Sequence, residues 1–178
     1  EFAEIWPTRE VQREIADKTG VRFIPVIETD TGEILQDSPR MFERIEELFP
    51  SPSFFPEDPA VRLVAHALED FLDDVLVIQA LHWRWSFPEQ RQWVEADWTQ
   101  VFGELATRLA GQMAGALPLV GLTEKTRPAT EAWFLKLLDL LTAHFQSSRY
   151  LLGDVITIAD YALFGAFFPH FARDPVPA

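Results

Sequence analysis

The chain has 178 residues, of which 48% are hydrophobic and 24% charged, enough to bury a core in one or two small domains. Its net charge of −13 argues against a nucleic acid or an anionic membrane as partner, because both require basic patches. There is no cysteine, so these residues provide no disulfide and no thiolate. Without an apolar run of roughly 20 residues or a visible signal peptide, we expect a cytoplasmic protein that does not enter a membrane.

The first predicted elements are a helix and a hairpin. Residues 9–18 have helical periodicity, and Gly20 fits a C-cap. Residues 23–35 predict two strands joined by a turn at Asp30-Thr31-Gly32. Pro25 lies among strong strand formers but cannot donate a ladder hydrogen bond, so it predicts a sheet edge or a bend, with a cis peptide bond after Ile24.

Asp37-Ser38-Pro39 predicts the start of a second helix, over residues 39–49. Aspartate and serine are preferred helix caps, and proline is common in the first helical turn. The free N–H groups of such a helix start attract an anion. Together with an unpaired strand backbone, this start could hold a small peptide by its main chain and its carboxylate.

A linker and an all-helical segment complete the chain. Residues 50–59 contain four prolines and lack periodicity, which is typical of a stiff linker. We therefore predict a first domain over 1–49, a linker over 50–57 and a helical domain over 58–178. The predicted helices cover 58–85, 88–115, 124–145 and 157–168, with a loop at 117–122. Their predicted inward-facing residues include Leu63, Ala67, Phe71, Trp93 and Val101.

Thr157-Ile158-Ala159-Asp160 predicts a capping box with aspartate in place of the usual glutamate. The Thr157 hydroxyl can accept from the Asp160 N–H, and the Asp160 carboxylate can accept from the Thr157 N–H. The predicted role of both residues is structural.

Two segments carry a resemblance to a known family. Residues 24–46, IPVIETDTGEILQDSPRMFERIE, resemble the glutathione-binding half of the thioredoxin-like domain in the glutathione transferase superfamily. Residues 150–165, YLLGDVITIADYALFG, resemble the characteristic segment of that family's helical C-terminal domain. The resemblance covers about residues 19–168. It implies a partial thioredoxin-like α/β domain followed by an all-α helical bundle.

The resemblance also implies roles for five residues of the first domain. Pro25 would be the family's cis-proline, and the backbone of Ile24 would meet the cysteinyl part of glutathione. Asp37 would pair with the γ-glutamyl ammonium, Ser38 would bind the carboxylate, and Gln36 would add a polar contact. The alternatives are an edge strand that contains proline and a plain N-cap.

No catalytic residue can be assigned in this sequence. The family's thiolate-stabilising serine, tyrosine or cysteine lies in a first strand–helix turn, and we expect that turn in a strand–helix–strand segment preceding these residues. A further segment is also expected after HFARDPVPA.

His82-Trp83-Arg84-Trp85 is the most unusual local cluster. In the family, the end of this helix helps to line the pocket for the electrophilic substrate, so the cluster is a candidate substrate site. The alternative is ordinary core packing. Upstream, four acids and a histidine share one helix, and they predict a solvated face rather than a metal site: His66, Glu69, Asp70, Asp73 and Asp74. The family resemblance implies a third option, in which one of these acids reaches the glutathione site of the neighbouring subunit.

The resemblance implies glutathione as co-substrate, a small electrophile as second substrate and a homodimeric assembly. The expected reaction is glutathione transfer to the electrophile, or a related glutathione-dependent reduction. Two alternatives remain: a non-catalytic binding or scaffold protein with the same fold, and an acidic helical interaction module. We predict no metal.

Overall fold

The computed structural model describes residues 2–5 and 8–176, in two compact units that divide between Phe54 and Phe55. The first unit contains a two-stranded sheet with helices, and the second is all-helical. The predicted fold class is therefore confirmed. The division falls inside the predicted linker, while the domain bounds themselves stay a prediction.

Among its described residues the first unit has four elements, and its two strands form an antiparallel pair in which Ile27 lies opposite Leu35. Gly32, with a φ of 81°, allows the turn between them. The peptide bond between Ile24 and Pro25 is cis, as the sequence predicts. The elements are α1 Arg9–Thr19, β1 Val26–Glu28, β2 Ile34–Gln36 and α2 Ser38–Leu48.

The second unit consists of helices packed around two buried clusters. One cluster is centred on Trp85 and Val94, and the other on Phe134 and Phe171. Short 3₁₀ and π turns follow α5 and α7, over Leu117–Val120 and Phe167–Phe171. The helices are α3 Pro59–Trp85, α4 Pro88–Phe102, α5 Leu105–Ala116, α6 Arg127–Phe145 and α7 Ile158–Ala166.

Two predicted helices and one predicted loop differ from the structure. The single helix predicted over 88–115 is two helices, because Gly103 adopts a φ of 56° that ends α4. The helix predicted from 124 begins at Arg127, because a turn held by hydrogen bonds between Thr123 and Thr126 precedes it. The predicted loop at 117–122 contains a 3₁₀ turn.

The predicted inward face is also wrong for the first half of α3. Leu63 is 71% exposed and Phe71 39% exposed, whereas Leu72 and Leu76 are buried. Apolar residues occur on more than one side of this helix, so packing against the other helices decides which side is covered. Trp93 and Val101 of α4, also predicted to face inward, are exposed.

Within the described ranges, the structure contains no helix that is both long enough and apolar enough to span a membrane.

Candidate functional site

A surface cavity of about 320 Å³ lies in the first unit, where the end of α1, strand β2 and the start of α2 meet. Gln36 and Asp37, two of the predicted glutathione contacts, line this cavity. Its lining consists of Lys18, Thr19, Ile34, Gln36, Asp37 and Arg40.

Asp37 has an unusual backbone conformation at this cavity, with a φ of 80° and a ψ of 113°. Positive φ is unfavourable for a residue with a side chain, and such strain is common at binding sites. The side chain makes no capping hydrogen bond, although Asp37 is the N-cap residue of α2. The plain N-cap reading is therefore not borne out, and the exposed carboxylate is available to a ligand.

The hairpin brings the other predicted residues near Asp37. Val26 pairs with Gln36 in the antiparallel ladder. Pro25 directly precedes Val26 and Asp37 directly follows Gln36, so the two lie at the same end of the hairpin. The Gln36 amide also donates a 2.6 Å hydrogen bond to the Phe23 carbonyl. The segment that carries Ile24 is thereby fastened beside the start of α2.

The charges at the cavity differ in how they are paired. Hydrogen bonds to Glu28 and Glu14 raise the pKa of Lys18, so its ammonium is already matched by two carboxylates. Arg40 forms no ion pair with any of the described residues. The first N–H groups of α2, including those of Ser38 and Arg40, have no acceptor within their own helix. The start of α2 therefore combines free donors with an unpaired guanidinium.

The four residues of the 82–85 cluster point to different surroundings instead of forming one wall. Trp85 is buried in a core cluster and contacts Trp98 with ring centroids 5.2 Å apart. The Trp83 ring stacks on Phe87 at 5.3 Å. Arg84 donates to both carboxylate oxygens of Asp174, at 2.7 and 2.8 Å. Arg84 is thus engaged within the protein, and Trp85 fits the alternative of core packing.

His82 is the cluster member that lines a cavity, a second one of about 320 Å³ within the helical unit. Its ring is 1% exposed and lies between Ser86 and Glu131. Burial lowers the pKa of His82, and this effect outweighs the opposing hydrogen bond to Glu131. The imidazole is therefore neutral at pH 7.

We expect His170 to make the helical unit less stable as the pH falls from about 6.5 to 4. Burial, aided by the charge of Arg84, lowers the pKa of His170 to about 4, against about 6.5 in an unfolded chain. Between these values the unfolded chain binds a proton that the folded chain excludes, so the free energy of unfolding decreases. In thermal melts, the melting temperature should fall less between pH 7 and pH 5 for His170→Gln than for the wild type. The control His66→Gln, at an exposed position, should show the same fall in melting temperature as the wild type. The same fall in His170→Gln would contradict a role of His170 in this pH dependence.

The predicted capping box is present at the start of α7. The Asp160 carboxylate accepts from the Thr157 N–H at 2.9 Å and from the Thr157 hydroxyl at 3.1 Å. Its other oxygen accepts from the Leu151 N–H at 2.8 Å. Asp160 therefore both caps α7 and fastens the preceding loop, which agrees with the structural role predicted for it.

On the acidic face predicted for α3, Glu69 is buried, which contradicts a fully solvated face. His66 stacks on Phe55 with centroids 5.3 Å apart. The site residues predicted from the sequence do not include Arg40, Ser86, Glu131 or Asp174. Arg40 had a detectable signal, because it is three residues after Asp37 on the first turn of α2.

Known families and structures match this arrangement. The model of the glutathione S-transferase N-terminal domain matches residues 1–53, and that of the glutathione S-transferase C-terminal domain matches residues 113–178. A glutathione S-transferase from Rhodospirillum rubrum F11 is similar in structure, with a TM-score of 0.57 and 19% identity over 91% of this chain and 63% of that protein. A glutathione S-transferase domain-containing protein from Marinobacter aquaeolei VT8 has a TM-score of 0.50 and 19% identity, over 93% and 70% of the two chains. No curated protein matches the chain.

At 19% identity the structural likenesses support the fold alone, and the chain spans less than two thirds of the Rhodospirillum rubrum protein. The two domain matches lie in the order expected of the family and together cover most of the chain. The chain belongs to the glutathione S-transferase superfamily.

Proposed function

We propose that this chain binds glutathione through the γ-glutamyl end, at the cavity formed by β2 and the start of α2. The observation that carries the proposal is the strained Asp37, whose carboxylate does not cap α2 and lines the same cavity as Arg40, a guanidinium without an ion pair among the described residues. The γ-glutamyl group has one ammonium and one carboxylate, so it matches a site with one free charge of each sign.

Each end of that group has a partner of suitable chemistry. The Asp37 carboxylate pairs with the ammonium. The Ser38 hydroxyl, the free N–H groups at the start of α2 and the Arg40 guanidinium bind the carboxylate. Ile24 is an exposed residue that precedes the first ladder pair, and its backbone hydrogen bonds the cysteinyl part. Gln36 contributes indirectly, because its amide holds the Phe23 carbonyl.

The proposed reaction is transfer of glutathione to a small electrophile, or a related glutathione-dependent reduction. Its nucleophile is the glutathione thiolate, since the thiolate rather than the thiol attacks. We assign no residue of this sequence as the group that stabilises this thiolate. What these residues do is bind and orient glutathione, which places the thiol for attack.

We expect Asp37→Asn and Ser38→Ala each to weaken glutathione binding by about 10-fold or more, the range for a lost hydrogen bond to a charged group. Asparagine is the suitable replacement at Asp37, because it removes the charge yet tolerates a positive φ. Calorimetric titration of the full-length protein with glutathione measures both effects.

The matched control is Asp30→Asn, which removes the same charge from the hairpin turn, outside the cavity lining. It should leave the affinity unchanged. Equal affinities for the wild type, Asp37→Asn and Ser38→Ala would place glutathione elsewhere and defeat the proposed site.

The second candidate function is a non-catalytic binding or scaffold protein of the same fold. It is favoured by the engagement of Arg84 with Asp174 and of Trp85 with the core, which removes two residues from the candidate substrate wall. A full-length protein that binds glutathione but conjugates no electrophile in a spectrophotometric screen would support this candidate.

We also propose a cytoplasmic homodimer. Its support is the apolar surface on α3, where Leu63, Val64 and Phe71 are exposed in the single chain. Exposed apolar clusters of this kind favour association with a partner surface. Light scattering of the full-length protein at micromolar concentration should give twice the monomer mass, and a monomer mass would contradict the proposal.

A further inference from the structure

A buried histidine in the helical unit connects a serine hydroxyl to a carboxylate. His82 lies in the last turn of α3, with Nδ1 2.9 Å from Ser86 Oγ and Nε2 3.2 Å from Glu131 Oε1 on α6. An ionised carboxylate only accepts hydrogen bonds, so Nε2 carries the ring proton. Nδ1 is then the acceptor for the Ser86 hydroxyl. This order of carboxylate, imidazole and hydroxyl is the one in which a serine becomes a nucleophile.

The hydroxyl and the imidazole both line the second cavity of about 320 Å³. Leu117 and Leu122 give this cavity an apolar wall, and Arg127 also lines it. Arg127 makes no ion pair within the part of the chain that the structure describes, and its guanidinium lies 5.9 Å from the Phe87 ring centre. A free cation beside a serine can stabilise the negative oxygen that forms when a carbonyl is attacked.

The surroundings of His82 keep its imidazole neutral, so the ring can accept a proton. Burial is the main effect that lowers its pKa, and the nearby charge of Arg127 acts in the same direction. The hydrogen bond to Glu131 opposes them and stabilises the imidazolium once it forms. A base that is neutral at pH 7 and has a carboxylate behind it meets the requirements of general-base catalysis.

We propose that Ser86 and His82, positioned by Glu131, hydrolyse small esters with an apolar or aromatic group, without glutathione. Ser86 Oγ bonds to the ester carbonyl carbon while its proton moves to His82 Nδ1. The carbon–oxygen bond to the alcohol breaks, and the alcohol leaves with that proton. A water molecule then cleaves the acyl–serine bond with His82 as base, which releases the acid and restores Ser86.

The first test measures hydrolysis of p-nitrophenyl acetate by the full-length protein in the absence of glutathione. Ser86→Ala should lower kcat/KM by about 100-fold or more, the range for loss of a nucleophile–base pair. Ser147→Ala, at an exposed serine after α6, should leave it unchanged. A fluorophosphonate probe should label the wild-type protein at Ser86, as read by peptide mass spectrometry.

A second variant tests the same proton transfer without removing the side chain. This sequence has no cysteine, so the thiol introduced by Ser86→Cys can be followed by alkylation with iodoacetamide. His82 should accept the proton of this thiol and so lower the pKa of the thiol. Alkylation at pH 7 should then be at least about 10-fold faster than in Ser147→Cys. Circular dichroism shows whether each variant is folded.

Glu131 is a positioning residue, and its test is the pH profile. Its carboxylate raises the pKa of His82, so Glu131→Gln should move the acidic limb of the kcat/KM profile to lower pH. The proposal is overturned if folded Ser86→Ala retains the esterase activity, or if Ser86 is not labelled and the thiol of Ser86→Cys reacts at the control rate. The three residues would then only join α3 to α6. Because no glutathione is present, these results are independent of the proposed glutathione site.

Discussion

Replacing Asp174 with alanine should lower the free energy of unfolding of the helical unit by about 3 kcal/mol, the usual cost of leaving a partly buried charge unpaired. The Asp174 side chain is 2% exposed and receives two hydrogen bonds from Arg84, whose side chain is 19% exposed. Arg84 also donates to the Pro169 carbonyl, so these contacts fasten residues 169–174 to α3. Chemical denaturation followed by circular dichroism measures the change.

Two controls isolate this effect. Asp139→Ala removes an exposed acid from α6 and should change stability by less than about 0.5 kcal/mol. The double variant Arg84→Ala with Asp174→Ala should be less destabilised than the sum of the single variants, because it leaves no unpaired charge. Additive effects would show that the two side chains do not depend on each other.

Replacing Asp160 with alanine should cost about 2–3 kcal/mol, since an N-cap contributes about 1 kcal/mol and hydrogen bonds to a charged group contribute more. Three hydrogen bonds from Thr157 and Leu151 end on this carboxylate. Their loss frees both the start of α7 and the loop before it. Urea denaturation should show a lower midpoint for Asp160→Ala.

Asp154→Ala is the matched control for Asp160→Ala, because it removes an exposed acid from the same loop. It should unfold at the wild-type midpoint. Glutathione affinity should be the same in folded Asp160→Ala and wild type. A large loss of affinity with unchanged stability would contradict the structural role of Asp160.

The hairpin and the start of α2 could be predicted because their signals are local. Proline, the Asp30-Thr31-Gly32 turn and the Asp37-Ser38 pair each restrict the backbone within a few residues. The free Asp37 carboxylate could not be predicted, because the same residues also describe an ordinary cap. Its strained φ of 80° is visible only in the folded chain.

In the helical unit, the sequence predicts where helices occur better than it predicts which of their sides are buried. Leu63 and Leu72 each fit an apolar stripe on a different side of α3. Contacts with other helices bury Leu72 and leave Leu63 exposed. The pair of Arg84 and Asp174 joins residues 90 positions apart, for which the sequence offers no local signal. The end of α4 at Gly103 did have one, since glycine inside a helical pattern weakens it.

The proposed site requires that this chain recognise the γ-glutamyl end of glutathione. Calorimetric titration of the full-length protein with glutathione and with cysteinylglycine, which lacks the γ-glutamyl group, measures this recognition. We expect binding of glutathione and at least about 10-fold weaker binding of cysteinylglycine. Equal affinity for the two peptides, or no binding of glutathione, would contradict it.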